Sequence, residues 1–356
     1  MKAAAIHFAR NWKRILKKSL VAVGILATAV LLIGGGVVAF LALGSTKQAD
    51  AITWGATFGH SQARDLGLDW KETYLALLDD VGVRNFRIPV YWNELETKKG
   101  QFNFEPWDWQ LDQLQERRGK AFLAIGFKLP RWPECRMPDW ARELPREERE
   151  KEILRMMEQV VNRYKAHEAV FAWQIENEPF LTFGDCPEKT IDEDQLDREI
   201  ALVRRLDPSR PIILTDTGEH SIWIKTPGKA DIFASTLFRI IHDPTLGFVR
   251  YPYPAIMYHR KAIWAKLWNP DVRIIIGELQ AEPWVDSLPI TKHSLSKQYE
   301  TMSPELFREN MDFARRTGFD EFYLWGSEWW YWTKTKGGDS AIWEEVRKLF
   351  NTSKNR

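Results

Sequence analysis

The chain has 356 residues, a formal net charge of +1 and 18 tryptophans. A near-neutral charge argues against nucleic acid as a partner, because nucleic-acid-binding proteins present a basic face. The seven histidines lack the spacing of a catalytic metal site, and no Gly-x-Gly-x-x-Gly motif or phosphate-binding loop occurs, so the sequence predicts neither a metal nor a cofactor.

The N-terminal residues predict a membrane segment. Six lysines and arginines lie between Lys2 and Lys18, and the run Leu20–Leu43 that follows has no charge. This run exceeds the roughly 20 residues that cross a bilayer, and the cations before it should stay in the cytoplasm. We therefore expect a basic cytoplasmic tail, a transmembrane signal-anchor helix, a linker and one large extracytoplasmic domain, at residues 1–18, 19–44, 45–50 and 51–356.

A cleaved signal peptide is the alternative for this segment. Ala49-Asp50-Ala51 has the small-x-small pattern of a cleavage site, although it lies several residues beyond the apolar run. The length of the run favours an uncleaved anchor, because the core of a signal peptide has about 7–15 apolar residues. If the segment is cleaved, the domain is secreted.

The large domain alternates short apolar runs with helical patterns. The runs predict strands at residues 52–58, 86–90, 121–127, 169–173, 211–215, 230–237, 272–278 and 321–325. A helical segment follows each run, although we expect only a brief turn after the fifth. Eight strand–helix units in a domain above the roughly 250 residues of a typical example predict a (β/α)8 TIM barrel. A doubly wound open sheet is the alternative, but it would carry a Gly-rich first turn.

Two of the predicted strands lead into a glutamate. Glu178 follows the fourth strand in Asn177-Glu178-Pro179, and Glu278 ends the seventh. The carboxyl ends of the strands carry the active site in this fold, and the fourth and seventh strands lie across the mouth of the barrel. Two carboxylates that face each other across a pocket are the groups that hydrolyse glycosidic bonds. Glu176 and Glu282 are competing acids at the same two strand ends.

This pattern resembles the clan A glycoside hydrolases, which are retaining barrels with catalytic glutamates after strands four and seven. Within the clan it is similar to families 5, 39 and 42. The resemblance covers about residues 51–350 and includes Arg87 in Arg87-Ile88-Pro89, Trp325 at the end of strand eight, and the loop at residues 91–104. It implies retaining hydrolysis of β-linked oligo- or polysaccharides.

The resemblance also implies a role for each residue. Glu178 corresponds to the acid/base, Glu278 to the nucleophile, and Asn177 to a ligand of the sugar hydroxyl next to the anomeric carbon. Arg87 corresponds to an arginine beside the nucleophile, and Trp325 to a sugar platform that a cis peptide bond often follows. A nearby arginine lowers the pKa of a carboxylate, and an ionised nucleophile keeps the acid protonated.

The chain departs from the family at two positions. Family 5 members usually carry a histidine after strand three, where this chain has Gly126-Phe127-Lys128. Many clan members carry a tyrosine near the end of strand six, where Phe238 has no hydroxyl. Candidates to replace it are Tyr251, Tyr253 and Tyr258. Two further functions stay open, namely a catalytically silent carbohydrate-binding or envelope barrel and a transglycosidase that uses the same glutamates.

Tryptophans and cysteines near the strand ends complete the predicted site. Trp92 and Trp284 are expected to line the cleft, because flat amphipathic ligands pack on indole rings. Cys135 follows strand three and Cys186 follows strand four, so neighbouring loops of an exported domain can form a disulfide. Three further acids are assigned to loops or supporting positions: Glu94, Glu96 and Glu219. The expected partners are a carbohydrate substrate and, through the N-terminal helix, a membrane.

Overall fold

A computed structural model of the protein describes residues 2–186 and 191–354. The chain divides into two compact units, Met1–Ser45 and Thr46–Arg356. The first unit holds one helix, α1 (Lys2–Ala42). Its segment Leu16–Ala42 is long and apolar enough to cross a membrane, with a mean hydropathy of 2.5. The basic tail and the apolar segment expected from the sequence therefore belong to one continuous helix.

The second unit contains a closed barrel of eight parallel strands, as the sequence predicts. The described residues form ten strands, in chain order β1 (Thr53–Thr57), β2 (Asn85–Pro89), β3 (Lys120–Ile125), β4 (Val170–Ile175), β5 (Ile212–Asp216), β6 (Ile232–Leu237), β7 (Ile240–Asp243), β8 (Gly247–Arg250), β9 (Arg273–Gln280) and β10 (Glu321–Trp325). The order around the barrel is β1-β10-β9-β6-β5-β4-β3-β2. β7 and β8 form a separate antiparallel hairpin, so β9 and β10 are the seventh and eighth barrel strands.

Helices connect the strands of the barrel. They are α2 (His60–Asp65), α3 (Trp70–Ala76), α4 (Trp92–Leu95), α5 (Glu105–Glu116), α6 (Asp139–Arg142), α7 (Arg146–Tyr164), α8 (Glu193–Leu206), α9 (Lys225–Lys229), α10 (Ala255–Lys266), α11 (Leu295–Met302), α12 (Pro304–Arg315), α13 (Ser327–Thr335) and α14 (Ala341–Lys354). Asp69 and Ser303 cap α3 and α12 through their side-chain oxygens, as expected for N-cap residues.

The barrel strands are apolar because both of their faces are covered. Every residue of β6 and of β10 is buried. Phe122 of β3 and Tyr323 of β10 belong to strands that are not neighbours, yet their ring centroids lie 4.7 Å apart. These rings therefore meet inside the barrel, in a core that also contains Ala172, Ile213, Ala234 and Ile275. Apolar packing fills this layer, so polar side chains are left to the carboxyl ends of the strands.

The elements that the sequence did not predict are short or lie at the surface. The β7–β8 hairpin follows β6, and none of its residues is fully buried. Five helices were also not predicted: α2, α4, α6, α11 and α13. All five have nine residues or fewer. Such segments lack the apolar periodicity from which a helix or strand is inferred.

Candidate active site

Arg87 lies at the centre of a polar cluster at the mouth of the barrel. It belongs to β2 and is fully buried. Its guanidinium donates from Nε to Gln174 Oε1 at 2.7 Å, from Nη1 to Glu278 Oε1 at 2.5 Å, and from Nη2 to Asn177 Oδ1 at 2.8 Å. Gln174 belongs to β4, Asn177 follows it, and Glu278 belongs to β9. One side chain of β2 thus fixes the relative positions of residues from β4 and β9.

The Glu278 carboxylate accepts a charge-assisted hydrogen bond from Arg87. Such bonds are strong and fix the geometry of a carboxylate. Glu278 is the last buried acid of β9 and lies opposite Thr236 of β6 in the sheet. The tyrosines proposed as replacements at the end of strand six have other partners. Tyr258 donates to Glu219 at 2.6 Å and the hydroxyl of Tyr251 lies 2.8 Å from a histidine nitrogen.

Tyr253 stacks on Tyr251, with ring centroids 5.5 Å apart. Within the described part of the chain, the hydrogen bond to the Glu278 carboxylate comes from Arg87 and not from a tyrosine hydroxyl. Tyr258 and Tyr251 therefore bond elsewhere, and which group replaces the strand-six tyrosine stays open. Phe238 leaves that position without a hydrogen-bond donor.

Glu178 is held by its backbone directly after β4. Its N–H donates to Thr215 Oγ1 at 2.8 Å, and its carbonyl accepts from Lys128 Nζ at 2.8 Å. Its φ of 43° lies in the left-handed region, which a residue with a side chain adopts only where its surroundings fix it. Burial, and after it the negative charge of Glu278, raise the pKa of Glu178 well above its usual value. A carboxyl that keeps its proton near neutral pH can act as a general acid.

Lys128 and Glu134 are two residues of this site that the sequence did not single out as functional. Lys128 is buried after β3, and its Nζ donates to the carbonyls of Glu178 and Leu181. Glu134 Oε2 lies 3.9 Å from the same Nζ. Burial raises the pKa of Glu134 to about 8, an effect that Lys128 opposes and Glu278 increases. Only the departure from the family 5 histidine drew attention to Lys128, and Glu134 lies in a loop without any pattern.

The competing acids have other partners. Glu176 is fully buried, and its carboxylate accepts from the backbone N–H groups of Phe127 at 3.0 Å and Lys128 at 2.7 Å. Glu282 accepts two hydrogen bonds from Arg131, at 2.7 and 3.1 Å. Protein donors therefore occupy both carboxylates. Arg87 likewise donates to the Glu278 carboxylate, and Glu178 and Glu278 stay the predicted catalytic pair.

The three tryptophans proposed as substrate ligands lie in different environments. Trp325 ends β10, and the guanidinium of Arg131 covers one face of its ring at 4.3 Å from the centroid. Trp284 is half-buried and packs edge-on against Phe238. Trp92 is 0% exposed, and its indole N–H donates to a buried glutamate. Because no surface of Trp92 is accessible, its expected role in lining the cleft is wrong.

The expected disulfide joins the loops after β3 and β4. Cys135 and Cys186 are bonded, with their Cα atoms 5.2 Å apart. The cis peptide bonds of the described residues are Trp132–Pro133 and Leu288–Pro289, so the bond after Trp325 is trans. The expectation of a cis bond there is wrong, since Gly326 makes the turn with a φ of 115° that glycine adopts readily.

The remaining acids lie in networks that support the loops. Glu94 is bonded to His60 and Arg64, and Glu96 accepts from Trp92. Glu219 accepts from the Tyr258 hydroxyl. Across residues 2–186 and 191–354, no three His, Cys, Asp or Glu side chains are grouped as a metal site.

Comparison with known proteins relates the barrel to glycoside hydrolases. Residues 126–261 match the family described as Glycosyl hydrolases family 2, TIM barrel domain. No curated protein matches the chain in sequence. A β-galactosidase from Rahnella sp. R3 is similar in structure with a TM-score of 0.57 and 15% identity, over 87% of this chain and 57% of that chain.

Two further solved structures belong to other glycosidase groups. A family 10 endoxylanase from a sugarcane soil metagenome has a TM-score of 0.54 and 15% identity, over 84% of this chain and 98% of that one. Endoglycoceramidase II from Rhodococcus sp. has a TM-score of 0.50 and 15% identity, over 79% of this chain and 75% of that one. This chain spans about three fifths of the length of the β-galactosidases that it matches. It has the (β/α)8 fold of the clan A glycoside hydrolases.

Proposed function

We propose that this chain is a retaining glycoside hydrolase that cleaves β-linked bonds of oligo- or polysaccharides. The observation that carries the proposal is the arrangement around Arg87. Its guanidinium binds Glu278 and Asn177 together, while Glu178, the residue after Asn177, is buried with a raised pKa. An anionic nucleophile and a protonated acid at the ends of β9 and β4 are the two groups that double displacement requires.

The proposed reaction has two steps. In the first, Glu178 gives its proton to the glycosidic oxygen while a carboxylate oxygen of Glu278 attacks the anomeric carbon. The bond to the leaving sugar breaks and a glycosyl ester of Glu278 forms. In the second, Glu178 takes a proton from water, the water oxygen bonds to the anomeric carbon, and Glu278 departs. Formation of the ester removes the charge of Glu278, which lowers the pKa of Glu178 for its second role.

Comparisons with known proteins support glycosidase activity without identifying the substrate. The family match covers the segment from the end of β3 to α10, which contains Glu178 but not Glu278. The similar structures include β-galactosidases and an endoxylanase, all of which act on sugars. We assign binding of the sugar hydroxyl next to the anomeric carbon to Asn177. The half-buried Trp284 and the small exposed part of Trp325, which is 8% accessible, are assigned to sugar contacts.

The proposal includes the place where the enzyme works. The apolar part of α1 is long enough to span a bilayer, and the lysines and arginines lie before it in the chain. Because such charges stay in the cytoplasm, we place the barrel outside the cytoplasmic membrane, with α1 as its anchor. An oxidising compartment outside the cytoplasm also suits the disulfide Cys135–Cys186.

The test compares the full chain with Glu178→Gln and Glu278→Gln on a panel of β-linked oligosaccharides and aryl β-glycosides. Loss of the nucleophile should abolish turnover. Loss of the acid should slow cleavage of oligosaccharides by about 10²- to 10⁴-fold. The same loss should slow the hydrolysis of aryl glycosides with good leaving groups less, because those leaving groups need little protonation. Glu143→Gln, at an exposed glutamate, is the matched control and should keep wild-type rates.

The stereochemistry of the product tests the mechanism. NMR of the first product formed should show the anomeric configuration of the substrate, and inversion would contradict double displacement. Binding of sugars without hydrolysis by the wild type and both variants would identify a silent carbohydrate-binding barrel. If transfer to an added sugar acceptor exceeded transfer to water, the protein would be a transglycosidase with the same two residues.

A further inference from the structure

The end of α10 exposes a group of large apolar side chains. Ile263, Trp264, Leu267 and Trp268 are 42%, 46%, 71% and 59% exposed. Residues four apart share one face of a helix, so Ile263 lies one turn before the C-cap residue Leu267. Trp268 follows Leu267 in the turn that ends α10. We call these four residues the α10 patch. Single exposed apolar residues are ordinary, but two indoles and two aliphatic side chains together mark a surface that contacts something apolar.

The α10 patch lies near the point where the linker meets the barrel domain. A Cβ atom added at Gly318 would lie 2.6 Å from Thr46 Oγ1, 3.0 Å from the Lys47 carbonyl oxygen and 3.4 Å from His259 Nδ1. The linker and α10 therefore meet at Gly318. Ile263 is one turn further along α10 than His259, about 6 Å along the helix axis, and Leu267 is about 12 Å away.

The sequence order limits how far this point can be from a bilayer. Thr46 follows Ala42, the last residue of the apolar helix α1, by four positions. Four residues of extended chain span at most about 14 Å. The chain between Ala42 and Thr46 is therefore too short to separate the residues beside Gly318 widely from a membrane that holds α1.

Positive charge next to the linker is consistent with a lipid surface. The lining of a cavity of about 570 Å³ includes linker residue Gln48, four arginines and two acids. The arginines are Arg239, Arg250, Arg315 and Arg316. The acids Glu309 and Asp312 pair with Arg250 and Arg315 at 3.0 Å. The cavity keeps an excess of two positive charges, which would attract anionic headgroups.

We propose that the α10 patch rests on the surface of the membrane that anchors the protein, with its indole rings at the level of the lipid headgroups. Trp at a membrane interface commonly takes this position, with an apolar body in the acyl boundary and a polar N–H in water. This inference rests on the proposed anchoring by α1. Helices of a (β/α)8 barrel end near the amino ends of the strands, so the patch lies away from Glu178 and Glu278. The active site then opens toward the aqueous side.

The experiment uses the full chain reconstituted in vesicles of phosphatidylcholine and phosphatidylglycerol, brominated near the headgroup end of the acyl chains. Bromine quenches nearby tryptophans. The variant Trp264→Phe/Trp268→Phe keeps the apolar contact but removes its fluorophores, and it should lose most of the lipid-dependent quenching of the wild type. Trp132→Phe, at a tryptophan that is 52% exposed in the loop after β3, is the matched control and should keep that quenching. Trp12 of α1 is present in every variant, so its own quenching cancels in the comparison.

A second variant tests the docking itself. Leu267→Asp should reduce quenching of Trp264 and Trp268, because a carboxylate is driven out of the acyl boundary. Replacing phosphatidylglycerol by phosphatidylcholine should weaken quenching, because the arginines beside the linker attract anionic headgroups. Quenching that survives Trp264→Phe/Trp268→Phe, or that Trp132→Phe removes instead, would overturn the proposal, as would a dimer in which the patch is shielded from lipid. Flotation of the chain with vesicles tests the anchor alone, and aryl-glycoside hydrolysis tests the activity alone, so the failures are distinguishable.

Discussion

Lys128 affects both the position and the pKa of Glu178. Its ammonium group donates to the carbonyl of Glu178 and therefore fixes the backbone from which the proposed catalytic carboxyl projects. Its positive charge also lowers the pKa of Glu178, against the larger effects of burial and of Glu278. Lys128 is thus a positioning residue in the proposed mechanism, and removal of its charge should be visible as a change in pH dependence.

Substitution Lys128→Met should lower kcat by up to about 100-fold with a smaller change in KM, because the acid is displaced. Without the lysine charge the pKa of Glu178 rises further, so Glu178 stays protonated to higher pH. The alkaline limb of the kcat/KM profile should move upward in pH. Lys128→Arg keeps the charge and should leave that limb in place. If the limb does not move in Lys128→Met, Lys128 is only a structural support.

Glu134 gives a second pH effect, this time on stability. Its folded pKa of about 8 is above the usual 4.5, so between these values the folded state holds a proton that the unfolded state has lost. The contribution of Glu134 to the free energy of unfolding is fully present below its unfolded pKa. It falls as the pH rises toward 8, by up to about 1.4 kcal/mol per pH unit.

Substitution Glu134→Gln replaces the protonated acid by a neutral group of the same shape. Urea unfolding should give a stability that falls less steeply than the wild type as the pH rises from acidic to mildly alkaline buffer. Glu143→Gln, at an exposed glutamate, should keep the slope of the wild type. Equal slopes for all three proteins would show that Glu134 is ionised throughout in the folded state.

At the scale of elements, the strands were predictable and the loops were not. All eight barrel strands occur where apolar runs predict them, and β10 matches its predicted bounds of residues 321–325. A run of apolar residues suffices because both faces of such strands are buried. The β7–β8 hairpin and the partners of Tyr258 depend on long-range contacts, which leave no periodic pattern in the sequence. For the same reason the sequence indicated Arg87 and Glu278 but not Gln174, which accepts a hydrogen bond from Arg87.

The turn after β3 depends on a glycine whose lack of a side chain makes room for Glu176. Gly126 has a φ of 134°, and an added Cβ would lie 2.3 Å from the Glu176 carboxyl group. Gly126→Ala should destabilise the fold by about 1–2 kcal/mol from the backbone alone. The clash should add about 1–3 kcal/mol.

The control for this substitution is Gly100→Ala. Gly100 also has a positive φ, 81°, but nothing lies within 4 Å of an added Cβ. Chemical denaturation should show only the backbone effect for Gly100→Ala and a clearly larger loss for Gly126→Ala. Equal losses would mean that the packing of Glu176 against this turn is unimportant.

At the scale of the whole molecule, α1 distinguishes an anchored from a released protein. If the apolar segment Leu16–Ala42 is retained as an anchor, the chain should stay with the membrane pellet after alkaline carbonate extraction. The intact mass of the extracted protein should include residues 1–50. A soluble product that begins near Ala51 would instead identify a cleaved signal peptide and a secreted domain. Leu26→Arg/Leu31→Arg, with two charges in the apolar run, should release the protein from the pellet.

The bond between Cys135 and Cys186 makes a covalent ring of the chain between them, with a sequence separation of 51. α6, α7, β4 and Glu178 all lie inside this ring. A single protease cut within it would therefore release no fragment, and the acid would stay attached to the barrel through both cut ends. A nicked molecule would run as full-length protein on a non-reducing gel and as two pieces after reduction. Where secreted proteases are abundant, the disulfide would therefore keep β4 and Glu178 attached to the barrel even after a peptide bond in the ring is cut.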